Sequence, residues 1–181
     1  MANLENIQNL KEFEGLQLRA DKVSFMEADE EDLFYRMKGF TELPSSKEPV
    51  EYERTYVDEK SARTTTTGVT SSTAFTLDKY KGNPVHERIQ EVFDKELLGD
   101  DATTNIVVVD FSKEVGDGFY ALKRNYTIVP DTEGDGTEAY NYSGTFKANG
   151  PSIEGVAKMA DGATDWLAVS FTEGITEPSG E

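Results

Sequence analysis

The segment Asp131–Gly136 comes closer to a metal-binding motif than any other part of the chain. Asp131, Glu133 and Asp135 alternate with small residues and are followed by a glycine. Carboxylates at positions 1, 3 and 5 with glycine at position 6 are typical of an EF-hand calcium loop. Position 12, which supplies a bidentate glutamate in that loop, is Tyr142 here, and both flanks alternate like strands. An acidic turn is the leading interpretation, and a calcium site is the alternative.

A second group of carboxylates occupies Glu27–Asp32, where five of six residues are acidic. The segments on either side alternate in polarity, which predicts a hairpin. The acidic group is then a solvated turn between two strands, with a calcium-collecting loop as the alternative.

Residues suited to catalysis are scarce. The chain has no cysteine and one histidine, His86, so thiol chemistry and sites with several histidines are excluded. No nucleophile-elbow pattern accompanies His86, which lies near the polar edge of a predicted helix and is expected to be exposed or partly packed. Lys123 and Arg124 are the only two basic residues that are adjacent in the chain, and no phosphate-binding pattern accompanies them. This predicts a salt bridge or an interface contact. We expect neither an enzyme nor a cofactor.

The charge balance of the chain limits the classes of partner that the protein can bind. The chain has 181 residues, with 18 Lys and Arg against 35 Asp and Glu, a formal net charge of −17. Each third of the chain is acidic, so the charge belongs to the whole surface. A protein that binds nucleic acid or anionic lipid needs a basic footprint. No stretch approaches the roughly 20 apolar residues of a membrane span, and no membrane partner is expected.

The elements that must position these residues are mostly strands. Short segments of alternating polarity are separated by Gly, Pro, Asn and Asp, which is typical of antiparallel sheets. They cover residues 22–26, 33–38, 50–57, 73–80, 105–111, 119–129, 139–147 and 165–172. One helix is predicted at about residues 84–98, with Asn83 as its N-cap, Pro84 at its first position and Gly99 closing its end.

Two segments have no predicted element. Residues 58–72 are rich in Thr and Ser with little to bury. They form a connection longer than most in a compact domain, so the segment is either mobile or functional. Residues 173–181 carry Gly, Pro and Glu and are predicted to be a flexible tail. The chain is therefore read as one β domain, residues 1–172, with a long loop at 58–72 and a tail at 173–181.

Several segments, in order along residues 35–150, resemble the major tail proteins, or tail tube proteins, of siphovirus-like phages of Gram-positive bacteria. Their succession, more than any one motif, carries the resemblance. They are Arg36–Thr41, Tyr52–Glu59, Asp78–Tyr80, Asn83–Glu87, Lys123–Tyr126, Val129–Gly136 and Tyr142–Gly150.

The resemblance implies a mainly β fold, an antiparallel β-sandwich or partly closed barrel with one flanking α-helix. It implies a structural virion protein that assembles into stacked hexameric rings, the tube through which double-stranded DNA leaves the capsid. The implied partners are other copies of the chain and the tape measure, tail terminator and baseplate proteins. The implied location is the virion tail, assembled in the host bacterial cytoplasm. No particular residue is assigned to the lumen.

In that family a long loop between early strands reaches the neighbouring ring. The matching segment here is residues 58–72. Its polar side chains are the expected inter-ring contacts: Asp58, Glu59, Arg63, Thr64, Thr67 and Thr70. The alternative function is a monomeric β-sandwich that binds carbohydrate or protein, with or without calcium, and a carboxylate-dependent hydrolase comes third.

Overall fold

The computed structural model describes residues 16–175 as nine strands, one α-helix and two short 3-10 turns. The strands are β1 (Lys22–Glu27), β2 (Leu33–Arg36), β3 (Phe40–Glu42), β4 (Ser45–Arg54), β5 (Arg63–Asp78), β6 (Thr103–Val115), β7 (Gly118–Glu133), β8 (Asn141–Met159) and β9 (Ala168–Glu173). The helix α1 spans Pro84–Asp94, and the 3-10 turns are Arg19–Asp21 and Gly99–Ala102.

Six strands close into an antiparallel barrel in the order β8-β7-β6-β1-β2-β9. The ring closes because β9 pairs on one side with β2, where Ser170 opposes Leu33, and on the other with β8, where Val169 opposes Met159. Among residues 16–175 the predicted mainly β fold with one helix is therefore confirmed, with a fully closed barrel as its centre. The predicted hairpin around the acidic turn is also confirmed, since β1 pairs with β2.

The barrel interior is one of two hydrophobic cores. It contains the buried residues Phe25, Phe34, Val107, Val109, Ala121, Ala157 and Val169. Alternation in β6 and β1 sends these side chains inward and their neighbours outward. The sequence predicted a strand from residue 165, but β9 begins at Ala168 because Asp165 and Trp166 adopt left-handed backbone with φ of 53°. The Trp166 ring packs edge-on against Phe111 and Phe119 at the barrel wall.

The second core lies between α1 and the sheet. It contains Met26, Phe75, Leu77, Val85, Ile89, Val92, Ala102, Ile106, Ile128, Tyr142 and Phe146. Strand β8 connects the two cores: residues Asn141–Lys147 pair with β5, whereas Gly155–Met159 pair with β9. The sequence predicted that this strand ends at residue 147. Instead it continues through Gly150, whose φ of 67° allows a bend while the pairing with β7 shifts register.

The helix begins as predicted and ends earlier. The Asn83 side chain accepts hydrogen bonds from the backbone N–H of Val85 at 3.0 Å and of His86 at 3.4 Å. The predicted end near residue 98 is wrong, because α1 ends at Asp94. The Leu97 N–H donates to the Val92 carbonyl, and Glu96 has a left-handed φ of 49°. This hydrogen bond and this backbone conformation form a Schellman end, which places Leu97 against the core.

The C-terminal boundary also differs from the prediction. Glu173 belongs to β9 and pairs with Gly155, and the Gly174 N–H donates to the Glu154 carbonyl. Residues 176–181 of the predicted tail lie outside the described residues. Within residues 16–175 the structure contains no helix long and apolar enough to cross a membrane.

Candidate assembly surface

Strands β4 and β5 form a long two-stranded ribbon that leaves the body of the molecule. They pair from Ser45 opposite Thr73 to Arg54 opposite Arg63. Strand β5 gains its second neighbour, β8, only from Ser72 onward. Residues 63–71 therefore pair with β4 alone, over about 30 Å at roughly 3.3 Å per residue.

The prediction of a loop at residues 58–72 is wrong for residues 63–72, which belong to β5. The burial pattern explains the error, because all ten residues of β4 and most of the outer half of β5 are exposed. A search for buried apolar alternation does not detect such a strand. Threonine favours strands through its branched Cβ, and cross-strand pairing supplies the backbone hydrogen bonds.

The residues between the strands, 55–62, form the ribbon tip, and Arg63 organises it. The Arg63 Nε donates to the Glu59 carboxylate at 2.8 Å, and its guanidinium lies 5.9 Å from the centre of the Tyr56 ring. The Glu59 N–H donates to the Tyr56 carbonyl at 3.0 Å. Two of the predicted assembly residues, Glu59 and Arg63, thus meet at the tip, next to exposed Asp58.

The predicted threonines lie along the ribbon instead of at its tip. Thr64 opposes Glu53 and Thr70 opposes Glu48. Thr67 has no opposing residue because the register shifts between Val50 and Glu51, and its hydroxyl donates to the Val50 carbonyl at 3.1 Å. This β-bulge twists the ribbon locally.

Sequence reasoning missed the apolar side chains that the ribbon exposes. Val50, Tyr52 and Tyr56 are each about half exposed, Val69 is 55% exposed and Val57 is fully exposed. A two-stranded hairpin is marginally stable alone in water, and an exposed apolar ribbon is an aggregation hazard. The ribbon therefore has the properties of a surface that is covered in an assembly.

Of the two acidic groups, Glu27–Asp32 forms the predicted turn, whereas the predicted turn at Asp131–Gly136 begins within strand β7. Strand β7 runs through Asp131 and Glu133, and Asp135 follows the bend at Gly134. Across residues 16–175, no group of three or more acidic or histidine side chains is arranged to hold a metal ion. Glu27–Asp32 turns between β1 and β2, and the Glu27 carboxylate accepts from the Asp32 N–H at 2.8 Å and from Asn105 Nδ2 at 2.6 Å.

His86 is fully buried, which differs from the expected exposed or partly packed position. Its Nδ1 accepts from the Tyr80 N–H at 3.0 Å, so the proton sits on Nε2, which donates to the Lys38 carbonyl at 2.7 Å. Burial lowers the pKa of His86 below its ordinary value, and the charge of Lys79 lowers it further, while the bond to Lys38 acts in the opposite direction. The neutral imidazole joins three chain segments.

The basic pair contacts neighbouring parts of the molecule. Lys123 forms a salt bridge with Asp32 at 3.2 Å, which is one of the two contacts predicted for this pair. Its ammonium group also lies 5.3 Å from the centre of the Phe34 ring. Arg124 Nε donates to the Gly150 carbonyl at 2.9 Å, at the bend of β8. Neither side chain is arranged around an anion.

The fold is similar to solved components of phage-like particles. No protein-family model matches the chain, and no curated protein matches it. A chain from the virion of a native gene transfer agent particle matches with a TM-score of 0.54 at 11% identity, over 87% of this chain and 99% of that one. A chain from the baseplate of the anti-feeding prophage matches with a TM-score of 0.50 at 8% identity, over 77% of this chain and 95% of that one.

Proposed function

We propose that this protein is a structural subunit of a phage tail, one that assembles into stacked hexameric rings of a tail tube. The β4–β5 ribbon carries this proposal. Over about 30 Å, at roughly 3.3 Å per residue, its outer part pairs with no further strand, and it exposes apolar side chains that suit an interface. In the proposed tube it contacts the neighbouring ring, with Asp58, Glu59 and Arg63 at its tip.

Two further observations support the proposal. The solved chains with similar folds belong to a gene transfer agent virion and to the baseplate of an anti-feeding prophage. The net charge of −17 suits a conduit for double-stranded DNA, because an acidic wall repels phosphate and lets the duplex slide. The proposed role is structural and not catalytic.

The same role defines the partners and the location. The subunit contacts other copies of itself in and between rings, and the tape measure, tail terminator and baseplate proteins along and at the ends of the tube. It resides in the virion tail after assembly in the host bacterial cytoplasm. Double-stranded DNA passes through without specific binding.

The ribbon can be removed at a position where the strand register allows the two cut ends of the chain to be connected by a tight turn. Lys47 and Ser71 oppose each other, so residues 48–70 can be replaced by an Asn-Gly turn that closes a two-residue hairpin between them. We expect the shortened protein to stay folded, since Phe75 and Leu77 remain in the core, and to lose assembly. Negative-stain microscopy of concentrated protein, with thermal unfolding monitored alongside, measures both.

The control for this experiment replaces Lys81, an exposed residue outside the ribbon, with Ala in the full-length protein. Rings or tubes from the control and the unaltered protein, but only monomers from the shortened protein, support the proposal. Tubes formed by the shortened protein would refute the role of the ribbon. An unaltered protein that remains monomeric when concentrated, and whose melting temperature rises with calcium or a sugar, would support the binding-module alternative.

A further inference from the structure

An open trough of about 1020 Å³ lies on the outer wall of the barrel, beside the start of β1. Val23 and Ser24 of β1 and Val108 of β6 line its floor, and the segment from Arg36 to Ser45 forms one side. Ser45 and Val108 also line a smaller hollow that extends toward β7. The two hollows form one continuous surface at the base of the ribbon.

This surface, which we call the basic trough, differs in charge from the rest of the molecule. Among residues 16–175, six cationic residues line it and no carboxylate does, although the whole chain has 18 cations and 35 carboxylates. The cations are Arg19, Lys22, Arg36, Lys38, Lys47 and Arg124. The trough is thus a local positive surface on a protein of net charge −17.

Most of these cations have no acidic partner among residues 16–175. Lys22 lies 3.8 Å from the Asp110 carboxylate, a long contact, and Arg124 donates to a backbone carbonyl. Within that same range the other four, Arg19, Arg36, Lys38 and Lys47, form no salt bridge. A cluster of like charges without partners raises the free energy of the isolated chain, and a bound anionic group lowers it.

The trough also has apolar lining. Met37, Leu43 and Val108 contribute to it, and the neighbouring Leu18 is 63% exposed. An apolar floor under a cationic rim matches an acidic segment of polypeptide, which offers carboxylates and aliphatic stems together. A phosphate backbone offers the charge without the apolar surface.

We propose that the basic trough binds the acidic turn Glu27–Asp32 of a second copy of this chain. The proposal deepens the proposed function, on which it rests, by assigning the contact between neighbours in a ring. The turn exposes Asp29, Glu30 and Glu31 to solvent. It is therefore complementary to the trough in charge.

The geometry requires that the two surfaces meet between copies. The turn follows the end of β1 and the trough lies at its start, about 20 Å away at roughly 3.3 Å per residue along a strand held in the barrel. One copy cannot place its own turn in its own trough. A contact between two different surfaces is heterologous, and it generates closed rings or open filaments instead of isolated dimers.

The test uses two charge-reversed variants of the full chain. Arg19→Glu/Lys38→Glu makes the trough acidic, and Glu30→Lys/Glu31→Lys makes the turn basic; all four side chains are exposed. Each variant alone sets like charges against each other, and we expect at least about a tenfold rise in the concentration needed for assembly. An equimolar mixture restores complementarity at every contact if the two variants alternate, and we expect assembly to return.

Rescue by mixing cannot arise from misfolded protein, so it separates a lost contact from a lost fold. The matched control, Lys81→Glu/Lys147→Glu, changes the charge equally at exposed residues outside the trough and should assemble like the unaltered protein. Assembly is followed by light scattering and electron microscopy.

The remaining outcomes overturn the proposal in distinguishable ways. If the trough variant assembles like the unaltered protein, this inference fails and the proposed function stands. If each variant fails alone and the mixture also fails, the turn is not the occupant. If DNA binds the unaltered protein and not the trough variant, while assembly is unchanged, the trough is a phosphate site. If the unaltered protein never assembles, the proposed function falls and this inference falls with it.

Discussion

At the scale of single residues, His86 shows how burial changes the role of a titratable group. Its ring is enclosed by α1, by Tyr80 and by the crossing segment at Lys38. Gly39 makes this possible, because a Cβ at that position would lie 2.9 Å from the Tyr80 ring and 3.0 Å from the His86 ring. The imidazole therefore acts as a neutral connector in the fold and has no open face for a substrate.

The first prediction concerns the stability of the fold below neutral pH. Because the folded-state pKa of His86 is lowered, the unfolded chain binds a proton more readily than the folded one below about pH 6.5. The free energy of unfolding should therefore fall as the pH drops from 7 to 5.5, because protons bind preferentially to the unfolded chain. Urea unfolding at several pH values measures it.

The control is His86→Gln, which removes the only histidine. Its free energy of unfolding should be lower at pH 7 and nearly independent of pH between 7 and 5.5, where carboxylates of ordinary pKa stay ionised. A slope that persists in the variant would mean that another group causes the pH dependence.

At the scale of elements, the C-terminal end of α1 includes a residue whose type is unfavourable in the backbone conformation that it adopts. Glu96 occupies the left-handed position of the Schellman end, which glycine normally fills. A residue with a Cβ loses roughly 1 kcal/mol in that conformation. The glycine that the sequence offered for this place, Gly99, instead begins the 3-10 turn that leads to β6.

The second prediction follows from that backbone conformation. Glu96→Gly should raise the free energy of unfolding by about 0.5–1 kcal/mol, because glycine adopts a positive φ without steric cost. Removing a negative charge at a helix C-terminus also contributes, so Glu96→Ala is the matched control. Thermal unfolding of both should show the larger gain for glycine. Equal gains would assign the effect to charge alone.

The ribbon illustrates an element that alternation in polarity reveals only in part, since residues 50–54 of β4 lie in the predicted strand 50–57 but residues 63–72 of β5 were not predicted as strand. Strand β4 is exposed along both faces, so its residues alternate without a buried side. The inner part of β5 was predicted from residue 73 because Phe75 and Leu77 enter the core. The outer part remained without an assignment because its pairing with β4 is the only interaction that orders it.

At the scale of the whole molecule, net charge and local charge act in opposite directions. Copies with a net charge of −17 repel one another at long range. The basic trough offers attraction at short range. Salt weakens both, but the Debye length of about 10 Å at 0.1 M means that long-range repulsion is lost first.

The third prediction is a maximum in assembly at intermediate ionic strength. Light scattering should increase between about 10 and 100 mM salt as repulsion between copies is screened, then decrease at several hundred mM as the trough contact weakens. The trough variant Arg19→Glu/Lys38→Glu serves as the comparison and should show no maximum. A steady decrease from the lowest salt in the unaltered protein would mean that net repulsion does not control assembly.

Local patterns in the sequence determined the mainly β fold, the hairpin β1–β2, the start of α1 and its apolar face. These features depend on neighbours along the chain: alternation in a strand, a cap and proline at a helix start, and glycine or acidic residues in turns. The sequence also determined the overall charge, since that requires only counting.

The tertiary structure alone decided the features that depend on contacts between distant residues. Barrel closure through β9, the continuation of β8 past Gly150 and the burial of His86 each need a partner far away in the chain. The basic trough has the same origin, because its cations come from four separate segments, residues 19–22, 36–38, 47 and 124. Only folding brings like charges from such segments onto one surface.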